Sequence, residues 1–186
     1  MALLSRGVLR PATDFASPEA ALFLAQLDML TEQLFTDLEG VAKAELEWQP
    51  QPGANTIGML LAHLAIVDVY WTQIGLRVEA PHDYARILGI TMDDDGMPIP
   101  KGGAPPANLA GKDLAYYREL IGRGREYLRE TARGLADSQL TIELERTRPN
   151  GARQTFDRRW ALFHLVEHFA GHYGQILLLR HLYRER

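Results

Sequence analysis

The chain has 186 residues, 46% hydrophobic and 24% charged, with a net charge of −4. Those proportions suit one globular domain over residues 1–186, because domains commonly run to roughly 100–200 residues. The acidic balance lacks the clustered basic footprint that nucleic-acid binding needs, and the absence of cysteine excludes disulfides, thiolate metal sites and a protein thiol nucleophile.

Met1–Ala12 contains Arg6 and Arg10 but no continuous apolar stretch after them, so no secretory leader is read there. No run approaches the ~20 apolar residues of a membrane span. No membrane partner is expected, and a cytoplasmic location is the default expectation.

Ser17-Pro18-Glu19 reads as a helix start, and Ala20, Leu24, Leu27, Thr31, Leu34, Leu38 and Val41 then recur at alternating spacings of four and three. The connection Trp48-Gln49-Pro50-Gln51-Pro52-Gly53 is punctuated by residues that disfavour helix, which predicts that helices one and two are antiparallel neighbours. Thr56 suits the N-cap of a second helix that continues through Ile57, Leu60, Leu61, Leu64, Val67 and Trp71 to about Leu76. Pro81 to Gly111 is rich in Gly and Pro and reads as a long crossover covering part of a bundle end. Within it, Asp93-Asp94-Asp95-Gly96 lacks the alternating acids and later glutamate of a calcium loop, and reads as a plain turn.

The third helix is predicted near Asp113 to Gly134, with Leu114, Tyr117, Ile121, Gly124, Leu128, Thr131 and Leu135 on one stripe. Thr141 to Phe156 alternates about Pro149-Asn150-Gly151, the pattern of a small β-hairpin. The fourth helix starts near Thr155-Phe156-Asp157 and runs to about Tyr183. Fold class is therefore all-α, with four bundle-type helices, a long crossover between helices two and three, and a hairpin before helix four.

Helix four carries His164, His168 and His172 at i, i+4 and i+8. Residues four apart stack on one helix face with Cβ atoms roughly 5–6 Å apart, close enough for two imidazoles to reach one ion. His168 and His172 share the apolar face with Ala161, Leu165, Gln175, Leu179 and Leu182, and His63 points inward on helix two beside Leu60, Ile66, Val67 and Tyr70. Either each histidine is a core residue hydrogen-bonded to a neighbour, or the three share a divalent ion that satisfies nitrogens too costly to bury unpaired. Three imidazoles with an open position are the ligand set of catalytic zinc and suit other divalent metals. Imidazole equally suits nickel, iron and copper, so the residues themselves do not choose among metals; zinc or nickel is the expectation, with iron or manganese behind them.

Residue 169 is Phe, so the glutamate base of a zincin protease is missing. His164, rotated by about 40° from His168, is a candidate fourth ligand but is expected rather to support a ligand or to pack, and Glu167 to be solvated. Tyr70 is expected to line a pocket, Gln175 to orient His172, and His82 and His181 to be exposed. Gly171 and Gly174 suggest close helix contact beside the site.

Asn55-Thr56-Ile57-Gly58-Met59-Leu60-Leu61-Ala62-His63-Leu64-Ala65 and His164-Leu165-Val166-Glu167-His168-Phe169-Ala170-Gly171-His172-Tyr173-Gly174-Gln175-Ile176 resemble the DinB-like (YfiT-like) superfamily of metal-dependent enzymes. Coverage extends over essentially the whole chain, including the loop with Gly96-Met97-Pro98. The resemblance implies a four-helix bundle with one long crossover, often a homodimer, and a divalent ion held near one end by His63, His168 and His172. It also implies a metal-dependent transferase or hydrolase in which a low-molecular-weight thiol, or water, attacks a small electrophile. The alternative is a non-catalytic dimeric bundle that uses the ion structurally or as a sensor. No catalytic or thiol-recognition residue is assigned.

Overall fold

The computed structural model describes residues 7–148 and 150–186. The readings made on Arg6 and Pro149 therefore lie outside the described residues.

Helix α1 (Pro18–Asp37) starts where Ser17 Oγ accepts from Ala20 N at 3.1 Å, with Pro18 supplying a pre-set first turn. It ends four residues short of Val41. A short α2 (Lys43–Leu46) then occupies the connection. Helix α3 (Ile57–Trp71) is capped by Thr56, which accepts from Met59 N at 3.1 Å, and passes directly into a π-helical segment, Thr72–Arg77. The crossover carries α4 (Tyr84–Leu88) and a 3-10 turn, Ala107–Leu109.

Helix α5 (Leu114–Arg133) is capped by Asp113, and a short α6 (Asp137–Leu140) follows it. Strands β1 (Glu143–Thr147) and β2 (Arg153–Asp157) pair antiparallel with Leu144 opposite Phe156 and Arg146 opposite Gln154. Thr155 and Phe156 thus belong to the hairpin rather than to the last helix. Helix α7 (Arg158–Arg184) begins at Asp157, whose carboxylate accepts from Trp160 N at 2.7 Å.

The four long helices form a bundle in which α3 packs on α5 and α7, and α1 packs on the same two. Helices α1 and α3 are therefore diagonal rather than adjacent, which corrects the neighbour relation expected from the Pro-Gly connection. Residues 38–56 are long enough to hold α2 and to cross the bundle end, so no tight turn forces the two helices together.

Helix α3 is buried on nearly every side, with Leu60, Leu61, Leu64, Ala65 and Val69 almost fully covered. Each large side chain of this kind contributes about 1.5–3 kcal/mol on burial. The stretch Ile57–Arg77 is in fact long and apolar enough to cross a membrane, contrary to the reading of the bare sequence, but 83% of its apolar stretch is buried in the bundle. Gly124 allows α5 to approach closely, since a Cβ there would meet Ala65 O at 2.8 Å. The same interface holds a buried ion pair, with Arg125 Nε donating to Asp68 Oδ2 at 3.0 Å.

Gly171 and Gly174 lie on the open side of α7, where an added Cβ would meet nothing within 4 Å. The expected close contact at these glycines is absent among the described residues, because α7 turns its other faces to α1 and α3. Leu182, expected on the inward stripe, is also exposed.

Candidate metal centre

Two helices bring three imidazoles together. His63 lies in the second turn of α3, and the inward face of α7 supplies His168 and His172 one turn apart. One nitrogen from each ring lies within 4.8 Å of the others. His168 Nε2 is 3.3 Å from His63 Nε2 and 3.1 Å from His172 Nε2.

The opposite nitrogens of two rings are fixed. His63 Nδ1 donates to Asp95 Oδ2 at 2.7 Å, and His172 Nδ1 donates to Gln175 Oε1 at 2.8 Å. A carboxylate or an amide oxygen only accepts, so each Nδ1 carries the proton and each Nε2 presents a lone pair. Both lone pairs face His168 Nε2. One proton on His168 serves two such acceptors poorly, whereas a divalent cation serves all three nitrogens at once.

The two short separations, 3.3 and 3.1 Å, also fit. Nitrogen ligands at about 2.1 Å from a tetrahedral ion are separated from each other by about 3.4 Å. Burial pushes the His168 imidazole down to about 3, with the neighbouring His172, His63 and His164 rings acting in the same direction. Burial also lowers His172, although Gln175 opposes it. Neutral rings are the ones that can ligate.

Asp95 is the residue that sequence reasoning missed. It is buried at 2% exposure within the supposed plain turn, where its Oδ1 accepts from Met97 N at 2.9 Å while Oδ2 holds His63. The turn reading is right for the backbone but overlooks this carboxylate. A carboxylate behind an imidazole fixes the ring orientation and raises its basicity as a ligand.

His164 stands outside the three-histidine group. Its ring stacks on Trp160 at 4.8 Å between centroids with planes 8° apart, and meets Trp71 edge-on at 4.8 Å. Its Nδ1 is 2.8 Å from Glu167 Oε1, so Glu167, though exposed, has a partner. His82 and His181 are exposed, as read from the sequence.

A cavity of about 290 Å³ opens beside the cluster, lined by His63, His164 and His168 together with Tyr70, Trp71 and Arg146. Arg146 and Trp71 were not anticipated there. Arg146 belongs to the inward face of β1, a two-residue periodicity too short to be distinguished from an exposed hairpin in the sequence alone.

Comparison with known proteins comes from two directions. Residues 22–185 match a family described as Mycothiol-S-transferase. The fold resembles the crystal structure of a conserved protein from Enterococcus faecalis, with a TM-score of 0.63 and 15% identity over 89% of this chain and 96% of that one. No curated protein matches the chain.

Proposed function

Because the chain belongs to the mycothiol-S-transferase family, we propose that it is a metal-dependent thiol S-transferase that joins mycothiol to a small electrophile. His63, His168 and His172 are the ligands in this reading. The observation that carries it is the convergence of their three Nε2 atoms, two of them held as lone pairs by Asp95 and Gln175. Zinc or nickel suits this all-imidazole set best, ahead of iron or manganese.

A divalent ion with an open position, when bound, favours the deprotonated form of a thiol or water at neutral pH. The protein's own residues do the rest. Asp95 and Gln175 hold two rings in register. Trp71, Ile66 and Val67 give the cavity an apolar wall beside the cluster. In the transfer, sulfur loses its proton to solvent and bonds to the electrophilic carbon, and the leaving group departs with its electron pair.

A closed structural or sensory ion site would need a fourth protein ligand. His164 is the nearest candidate, and it is engaged by Glu167 and Trp160 instead. This supports the enzyme over the non-catalytic alternative. The homodimer belongs to the same proposal: Phe163, Leu177, Leu178 and Leu182 form an exposed apolar row along α7, with Gly171 and Gly174 open beside it. Light scattering that gave a monomer at micromolar concentration would remove the dimer.

The test of function is elemental analysis of purified protein together with mycothiol consumption against a reactive alkyl halide. Near-stoichiometric metal that is lost in His63→Ala, His168→Ala and His172→Ala, with activity lost in parallel, is expected. Protein that takes up none of zinc, nickel, iron or manganese would refute the reading.

A further inference from the structure

Arg146 is a cation with a prepared position and, among the described residues, no counter-charge. Its side chain leaves the inward face of β1 and lays the guanidinium over the Trp71 ring, with Cζ 4.3 Å from the centroid. Nε donates to Gln154 Oε1 at 2.9 Å, and Nη1 donates to the Tyr70 hydroxyl at 3.4 Å. Both partners are neutral. Arg125, Arg129, Arg159 and Arg180 each hold a carboxylate, whereas among the described residues none lies within ion-pair distance of Arg146.

This uncompensated charge lines the same cavity as His63 and His168. The two acidic residues there are placed differently. Asp95 is committed to His63 and to Met97 N, and Asp93 is exposed on the crossover. By accepting from Arg146, the Tyr70 hydroxyl leaves its own proton free to donate outward. A guanidinium edge and a phenol side by side form a two-point donor pair, the arrangement that planar oxyanions accept.

We propose that Arg146 and Tyr70 bind a carboxylate carried by the electrophile, placing its reactive centre toward the histidine cluster. Stacking on Trp71 alone requires no charge, so a methionine at position 146 retains the apolar contact while removing the anion site. The cavity, holding on the order of ten waters' volume, limits the bound portion to a small molecule. The identification of the reactants rests on the S-transferase reading, but carboxylate binding can be tested without it.

The binding arm titrates benzoate and benzamide into metal-loaded and metal-free protein, monitored by tryptophan fluorescence and by NMR. Benzoate is expected to bind both forms better than benzamide. Charge-assisted bonds of this kind account for about a tenfold to hundredfold change in affinity, so Arg146→Met is expected to abolish the preference, with Tyr70→Phe weakening it several-fold. Tyr70→Phe also serves as the variant whose fold is least disturbed.

The kinetic arm compares a carboxylated electrophile with its methyl ester, each with mycothiol. Arg146→Met is expected to raise KM at least tenfold for the carboxylated electrophile, leaving kcat and the ester within twofold. Equal binding of benzoate and benzamide by the parent protein, or a benzoate preference that survives in Arg146→Met, overturns the proposal. Failure of the S-transferase reading shows up separately, as an absence of turnover with an intact benzoate preference.

Discussion

Asp95 Oδ2 receives the Nδ1 proton of His63 at 2.7 Å, linking the crossover to the histidine cluster from 32 residues away in sequence. The bond turns a surface loop into part of the centre, because it fixes which nitrogen of His63 faces His168. Replacing Asp95 with Asn leaves the backbone turn intact but lets the ring flip or change tautomer. Metal affinity is expected to fall by about 10–100-fold, measured by competition with a chromophoric chelator. An affinity within twofold of the parent would show that the carboxylate does not orient the ring.

The metal-free protein should lose stability in mild acid. His168 has an ordinary value of 6.5 and is held at about 3 in the folded chain, chiefly by burial, and His172 is shifted in the same direction. The unfolded chain therefore takes up the proton first. The stabilisation is complete above about pH 6.5 and diminishes as pH falls toward 3. Each such group contributes at most about 1.4 kcal/mol per pH unit in that window. Urea midpoints between pH 7 and pH 5 should fall for the parent chain, and His168→Gln should flatten the slope. Parallel slopes would contradict the burial account.

The Asp68–Arg125 pair lies across the α3–α5 interface with both side chains buried, and burial pushes the Asp68 carboxyl up against the opposing pull of Arg125. Among the described residues Arg125 Nη1 and Nη2 find no hydrogen-bond partner, and the nearest other carboxylate to Nη1 is that of Asp28, at 3.8 Å. Removing one partner strands the other charge, so Asp68→Leu should cost about 3–5 kcal/mol. The double replacement Asp68→Leu with Arg125→Met should recover a large part of that loss. A denaturant-derived double-mutant cycle reads the difference, and additive single losses would mean that the two charges act independently.

Gly124 tests the packing at the same interface. A methyl group there would sit 2.8 Å from Ala65 O and 3.4 Å from Asp68 Cβ, and backbone cannot yield as a flexible side chain does. Gly124→Ala should therefore destabilise by about 1–3 kcal/mol, outweighing the helix-propensity gain of about 1 kcal/mol. Gly122, with open space around it, provides the control: Gly122→Ala should be neutral or stabilising. A matching thermal shift in both would remove the steric explanation.

The parts of this fold legible from sequence are those governed by local rules. Ser17 and Thr56 cap helices where their side chains reach the first free N–H groups, and the four-three stripes locate the long helices because each stripe must be buried. His168 and His172 come together through helical spacing alone. Inward orientation of His63 follows from its arc on α3. What was hidden depends on contacts between distant segments. Nothing periodic ties Asp95 to His63 or Arg146 to Trp71. The diagonal placement of α1 and α3 is decided by how whole helix faces fit, and a Pro-Gly connection does not report its own path. Gly171 and Gly174 misled because glycine marks either close approach or open space, and only the surrounding chain distinguishes them.

His63 and His168 stand 105 positions apart, on the second and the last of the long helices. A chain that stops before Arg158 contains one histidine of the cluster and lacks the HxxxH pair altogether. If the cluster holds an ion as proposed, capture would require α7 to have been made, and the ion would cross-link α3 to α7 much as a staple would. Copies lacking α7 would then not sequester metal, which would make loading a report on bundle integrity.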